Sequence, residues 1–290
     1  MSPTPSTSAA LTPSASATIP RTTDVEGSIV FQRGGDLWVV DQRGERALMT
    51  TPWIETRPAW SDDGTTVVFA SNKDGQIDLY TMKADGSNLT RLTQTPADEG
   101  AAGWSPDGKR IAFVTFADPG GGTVWVMNAD GTNATEIYKD ANAFIGFDEW
   151  SPNDRLLLSV DKAGGGELDL YSIDPDGTDI SAVVQNRGDD SGGRYSNDGS
   201  KLAFWSDGGP AGGEPGIYIM SKDGSVLKIF ADPFAIDTVA LAWSSDEREI
   251  AWTGKFEGGA GSPIFVMSAD GGNLRQLTEA LPEASGIDWR

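Results

Sequence analysis

The residues with most chemical potential in this 290-residue chain are carboxylates placed at set distances ahead of a recurring aromatic. Glu55, Glu99 and Asp190 each stand five residues before Trp60, Trp104 and Tyr195. Asp237 and Glu283 stand six before Trp243 and Trp289, and Asp148 stands two before Trp150. Gathered at one place, such acids repel one another, and some of their pKa values rise unless a cation or basic partner compensates. Hard oxygen ligands suit calcium or magnesium better than transition metals, and Glu55, Glu99 and Asp190 are the candidate metal ligands. The same side chains serve equally well as caps on strand ends or as separate solvated charges, and no cofactor is required. Arg57 and Arg194 offer the planar guanidinium that clamps a carboxylate through two hydrogen bonds, or they pair with the nearby acids. Trp53, Phe144, Phe147 and Phe234 lie between repeats and Phe116 and Phe256 within them, where aromatics anchor protein partners or tuck into their own loops.

What is missing narrows the chemistry further. The chain contains no histidine and no cysteine, which removes Ser-His-Asp and Cys-His arrangements, His-ligated zinc, thiolate metal sites and disulfides. A net charge of -21 opposes nucleic-acid binding and favours a cationic or basic partner, or is simply a soluble acidic surface. No run of 18 apolar residues occurs, so no transmembrane helix is expected. Asp174-Pro175-Asp176-Gly177 hints at a calcium loop, but the glycine is misplaced and comparable Asp-Gly turns recur along the chain.

These residues sit on a repeat. The aromatics Trp60, Trp104, Trp150, Tyr195, Trp243 and Trp289 follow one another at intervals of 44, 46, 45, 48 and 46 residues. Seven positions after each of the first five comes an aliphatic residue: Val67, Ile111, Leu157, Leu202 and Ile250. A further short apolar run follows in every unit, from Leu79-Tyr80 to Ile264-Phe265. Such runs, β-branched or aromatic and bounded by Asp-Gly turns, read as strands, and the period suits four strands per unit. Near the N-terminus, Ile29-Val30-Phe31 and Leu37-Trp38-Val39-Val40 match the second and third strands of a unit without its first. That first strand is predicted at the far end, in Gly286-Ile287-Asp288-Trp289. The fold class is therefore all-β, a six-bladed β-propeller of four-stranded antiparallel blades over 27–290, closed by pairing the C-terminal strand with the N-terminal blade.

The run Trp104-Ser105-Pro106-Asp107-Gly108-Lys109-Arg110-Ile111-Ala112-Phe113, with Val124-Trp125-Val126-Met127-Asn128-Ala129-Asp130-Gly131, resembles the repeat of TolB-like propellers, and does so in every unit. Tyr195 replaces the aromatic Trp, and Asn153-Asp154-Arg155 and Asp246-Glu247-Arg248 lack the turn glycine, departures that touch local turns only. The resemblance implies the fold and a habit of binding partners. It does not extend to the α/β domain that precedes the propeller in the family's best-known member.

Residues 2–20 are Ser, Thr, Pro or Ala except for Leu11 and Ile19, so 1–26 is expected to be a disordered linker or stalk. Short repetitive turns occupy one face of the disc and longer, differing loops the other, and the second face is where binding is expected. The expected function is a non-enzymatic binding or sensing domain, monomeric and tethered outside the membrane, taking a protein or small-molecule ligand. The alternative is a metal-assisted hydrolase or lyase acting on a lactone or carbohydrate through the carboxylates.

Overall fold

The computed structural model describes residues 19–22, 24–116, 121–161, 166–209, 213–231, 240–254, 261–279 and 286–290. Among them are 24 strands in six four-stranded antiparallel sheets and no helix. Numbered around the ring, the innermost strands of blades one to six are Ile287–Trp289, Glu55–Trp60, Asp98–Trp104, Ile145–Trp150, Asp190–Tyr195 and Leu241–Trp243. Blade one takes its inner strand from the C-terminus: Ile29 pairs with Trp289, Val30 with Asp288 and Phe31 with Ile287. The six-bladed, end-to-end closed propeller expected from the repeat is the observed architecture.

Middle strands such as Thr66–Ser71, Arg110–Phe116 and Leu156–Val160 are apolar on both faces because each sheet is covered on both sides by neighbours. The core is accordingly divided. Each of six buried clusters bridges one junction between adjacent blades, for example Val114, Val124, Ile145 and Leu158 between blades three and four. Burying an aliphatic side chain of this kind contributes about 1.5–3 kcal/mol, so each junction is a sizeable share of the stability.

The turn that follows each aromatic is built by its own side chains. Ser61 donates to Asp63 Oδ1 at 2.6 Å, and its Oγ accepts from the Thr66 amide at 3.0 Å. Ser105, Ser196 and Ser244 repeat the arrangement with Asp107, Asp198 and Asp246. Where two units lack the turn glycine, the turn is kept: Asp154 at φ 58° and Glu247 at φ 61° adopt the left-handed conformation of Gly64, Gly108 and Gly199. Both gain contacts there, since Asp154 accepts from the Trp150 indole at 2.8 Å and Glu247 from the Asp198 amide at 2.7 Å.

The leader expected to be free up to residue 26 is engaged earlier. Arg21 forms a parallel bridge with Gln276 on the outer edge of blade six, and the Thr22 amide donates to the Gln276 carbonyl at 3.0 Å. Val25 is fully buried, and Trp289 Nε1 donates to the Glu26 carbonyl at 2.6 Å. Residues 19–22 thus add an edge pairing beside the seam that the C-terminal strand closes. The packed body begins before residue 27, because an unpaired strand edge was available there. Residues 1–18 and 23 lie outside the described residues.

Candidate functional site

The expected ring of carboxylates separates into two groups. Glu55, Glu99 and Asp190 stand at or next to the first residue of the inner strands of blades two, three and five, and all are buried. Glu55 accepts from Thr51 Oγ1 at 2.6 Å and Glu99 from Thr95 Oγ1 at 2.5 Å, while Asp190 accepts from the Asn186 side chain at 3.1 Å. The backbone amides of the three donate to the carbonyls of Gly35, Ile77 and Leu168, just ahead of the third strand of the preceding blade. One loop design is therefore used three times, and each acid clasps its own blade junction. Burial raises all three pKa values, that of Glu99 to about 7. Glu55 Oε2 and Glu99 Oε2 are buried without a hydrogen-bond partner, which adds to the cost of charging these acids.

Among the described residues no three acids converge as ligands for a metal ion. Glu55, Glu99 and Asp190 are held apart by their separate loops, and Asp237 and Glu283 lie outside the described residues.

Asp148 belongs to the second group, inside the central channel. The inner strands of blades two to five are bulged between Thr56 and Ala59, Glu99 and Ala102, Phe147 and Glu149, and Ser191 and Arg194. A bulge re-aims the residues it leaves unpaired, and here it turns Arg57 and Asp148 into the channel. Arg57, Asp148, Glu149, Arg194 and Asp288 line one cavity of about 120 Å³, alongside Trp60 and Trp104. These lining residues lie toward the ends of the inner strands, so the cavity occupies the half of the channel nearer the Ser-x-Asp turns.

Here the acids act as staples between blades. Asp148 accepts from Ser159 Oγ at 2.6 Å and from the Gly192 amide of the next blade at 3.1 Å. Glu149 accepts from the Tyr195 amide at 2.6 Å, and Asp288 accepts from the Trp60 amide at 2.6 Å across the closing seam. Burial dominates their titration. It lifts Asp148 to about 6 and Glu149 to about 8, with Arg194 opposing the rise in both, and it raises Asp288 as well. The pairing of Arg57 and Arg194 with these acids is absent as direct contact. Arg57 senses Asp148 through space, and the hydrogen bond of the Arg194 guanidinium goes to the Gly193 carbonyl at 2.8 Å.

The loop aromatics also divide. Trp53 is 38% exposed with the Lys73 ammonium 5.4 Å from its ring centroid, and neighbouring Ile54 is 51% exposed. Phe144 is 50% exposed and stacks on the half-buried Phe116, centroids 6.0 Å apart. Phe147, expected on this face, is instead a core residue: strand alternation turns it inward with Ile145, against Gly103, where an added Cβ would lie 2.8 Å from its ring. Phe234 and Phe256 lie outside the described residues. Glu149 and Asp288 were not singled out in the sequence, although a carboxylate directly before the repeat aromatic, in Glu149-Trp150 and Asp288-Trp289, was the available signal.

Comparison with known proteins agrees with this architecture. Residues 18–118 match a family profile described as the Tricorn protease N-terminal beta propeller domain, and residues 101–231 match the TolB beta propeller domain. A TolB homologue of Chlorobium luteolum is 29% identical over 158 residues, which is 54% of this chain and 34% of that protein. The chain thus spans about a third of the length of this relative. The crystal structure of TolB from Acinetobacter baumannii superposes with a TM-score of 0.77 at 18% identity, covering 92% of this chain and 67% of that one. A puromycin-hydrolysing peptidase of Mycobacterium tuberculosis superposes with a TM-score of 0.59 at 16% identity, covering 90% of this chain and 45% of the peptidase. At such identities the two structures speak for the fold alone. Repeat, ring closure and sequence matches together make this chain a member of the TolB-like six-bladed β-propeller family.

Proposed function

We propose that this propeller is a non-enzymatic interaction domain that docks a protein partner on its variable-loop face. The observation that carries the reading is the set of exposed apolar side chains Trp53, Ile54 and Phe144 on that face. Their loops are fixed by hydrogen bonds: the Ile54 amide donates to Asn72 Oδ1 at 2.8 Å, and the Trp53 amide to Thr51 Oγ1 at 3.1 Å. Rigid aromatics lose little entropy on binding and commonly supply most of an interface's energy. A net charge of -21 favours a partner with a basic rim around its apolar patch. The Ser/Thr/Pro/Ala leader and the TolB relatives support a tethered position outside the cytoplasmic membrane. A monomer bearing one such face is sufficient for this role.

The test compares wild type with a Trp53→Ala, Phe144→Ala double variant in affinity capture from the envelope fraction of the source cells. Loss of at least tenfold of a specifically retained protein is expected, with unfolding temperature unchanged. Equal capture by both proteins would remove this face from consideration.

The competing enzyme reading draws on Glu99, whose pKa of about 7 suits a general acid or base, and on the peptidase of similar fold. It requires turnover of a lactone, glycoside or peptide ester that Glu99→Gln abolishes. Bound calcium or magnesium would show as a chelator-sensitive rise in unfolding temperature.

A further inference from the structure

The central channel holds more hydrogen-bond donors than its own acceptors use. Arg57, exposed toward the channel opening, makes no hydrogen bond or ion pair with any described residue, and among those residues Arg194 gives one bond, to the Gly193 carbonyl. The oxygens that face them are largely engaged elsewhere, on Ser159, Gly192, Tyr195 and Trp60. Trp60, which also lines this cavity, has its indole Nε1 buried with no acceptor among the described residues.

Arg57 is also held in a costly conformation. Its φ is 51°, while the residues at the same position in blades five and one are Gly192 at 65° and Gly286 at 77°. Close packing fixes it there, since a Cβ on Gly286 would lie 3.0 Å from Arg57 Cα. Glycine would occupy the position without strain, yet the chain carries an arginine whose charge is uncompensated by contact.

We propose that the central channel receives a single carboxylate group between the guanidinia of Arg57 and Arg194. A guanidinium is the side chain best matched to a carboxylate, through two parallel N–H donors. The cavity of about 120 Å³ has room for several waters, hence for a carboxylate on a short chain. Arg57 and Arg194 face Asp148 and Asp288, with Glu149 raised to about 8 and so mostly protonated at neutral pH. Two guanidinia against two carboxylates leave the wall near neutral, which penalises a doubly charged phosphate more than a monoanion, so the selectivity rests on the paired N–H donors. Arg290, the remaining cation of the wall, pairs with Asp62 and also acts on Asp288. The ligand is either a small free monocarboxylic acid or the terminal carboxylate of an extended peptide.

The site is independent of the docking face, and titration calorimetry of the intact chain at pH 7 tests it with acetyl-trialanine, its carboxamide, acetate and phosphate. The expected result is saturable binding of the peptide acid and none of the amide. Acetate binding as tightly as the peptide assigns the site to small free acids, and its failure to do so assigns it to chain ends. Arg57→Gly should weaken binding at least tenfold while unfolding at the same or a higher temperature, because glycine accepts this φ; Arg194→Gln should weaken it similarly. The Trp53→Ala, Phe144→Ala variant should bind as wild type does, which separates this site from the docking face. Indistinguishable acid and amide, full affinity in Arg57→Gly, or tighter binding of phosphate would each overturn the proposal.

Discussion

Glu99 and Asp288 are both buried carboxylates at the inner edge of a blade, and they are used in different ways. Glu99 is tied to Thr95 within its own loop, with one oxygen left over, and its chief effect is to hold a loop against the preceding blade. Asp288 reaches from the last strand of the chain to the Trp60 amide in blade two, close to Arg290 and Arg194, and so closes the seam. The difference teaches that the geometry around a carboxylate decides its role. A clasp acid works against burial and a neighbouring carboxylate, Asp78 for Glu99 and Asp36 for Glu55, whereas a channel acid is balanced by cations and by amides of a neighbouring blade.

Three substitutions probe this contrast, in falling order of expected effect. Asp288→Ala should cost about 2–3 kcal/mol in urea unfolding at pH 7, because it strands the Trp60 amide and removes a counter-charge from Arg290 and Arg194. A cost below about 0.5 kcal/mol would show that the channel acids are not staples. Thr95→Val removes the hydroxyl that Glu99 relies on and should cost about 1–2 kcal/mol at pH 8, and less at pH 5. An equal cost at both pH values would mean that the hydroxyl does not support the charge.

Glu99→Gln should have the smallest effect and the opposite sign. The folded protein holds this proton up to about pH 7, against an ordinary value of 4.5. Stability from the neutral acid is full below 4.5 and is lost as pH rises through 7. The glutamine variant should therefore match wild type near pH 4 and exceed it by about 1 kcal/mol at pH 8, after allowance for screening at the loop. A stability difference that is the same at pH 4 and pH 8 would contradict the burial of a charge there.

The repeat was legible because it recurs. The aromatic spacing, the paired apolar runs and the orphan strand at the C-terminus defined blade number and closure, and the ring follows them. The clasp loops were half visible: the position of Glu55 and Glu99 was apparent, but their meaning lay in Thr51 and Thr95, four residues earlier. Phe147 was misplaced on the variable face because a loop aromatic and the third residue of a strand look alike until the strand's first residue is known. Arg57 and Arg194 were identified as a pair, although their separation of 137 positions carried no information about the cavity that unites them.

The six blades, their four-strand pattern and the pairing of the two ends follow from local patterning, because a strand's hydrophobic period and turn residues are local properties that a repeat multiplies. Which charges meet is settled by the closed ring. The bulges turn side chains off the ladder by an amount that no spacing rule expresses, and the channel brings together residues from five blades. Burial and field at such a place are sums over neighbours distant in the chain, so the roles of Arg57, Asp148, Glu149, Arg194 and Asp288 appear only once the ring is closed.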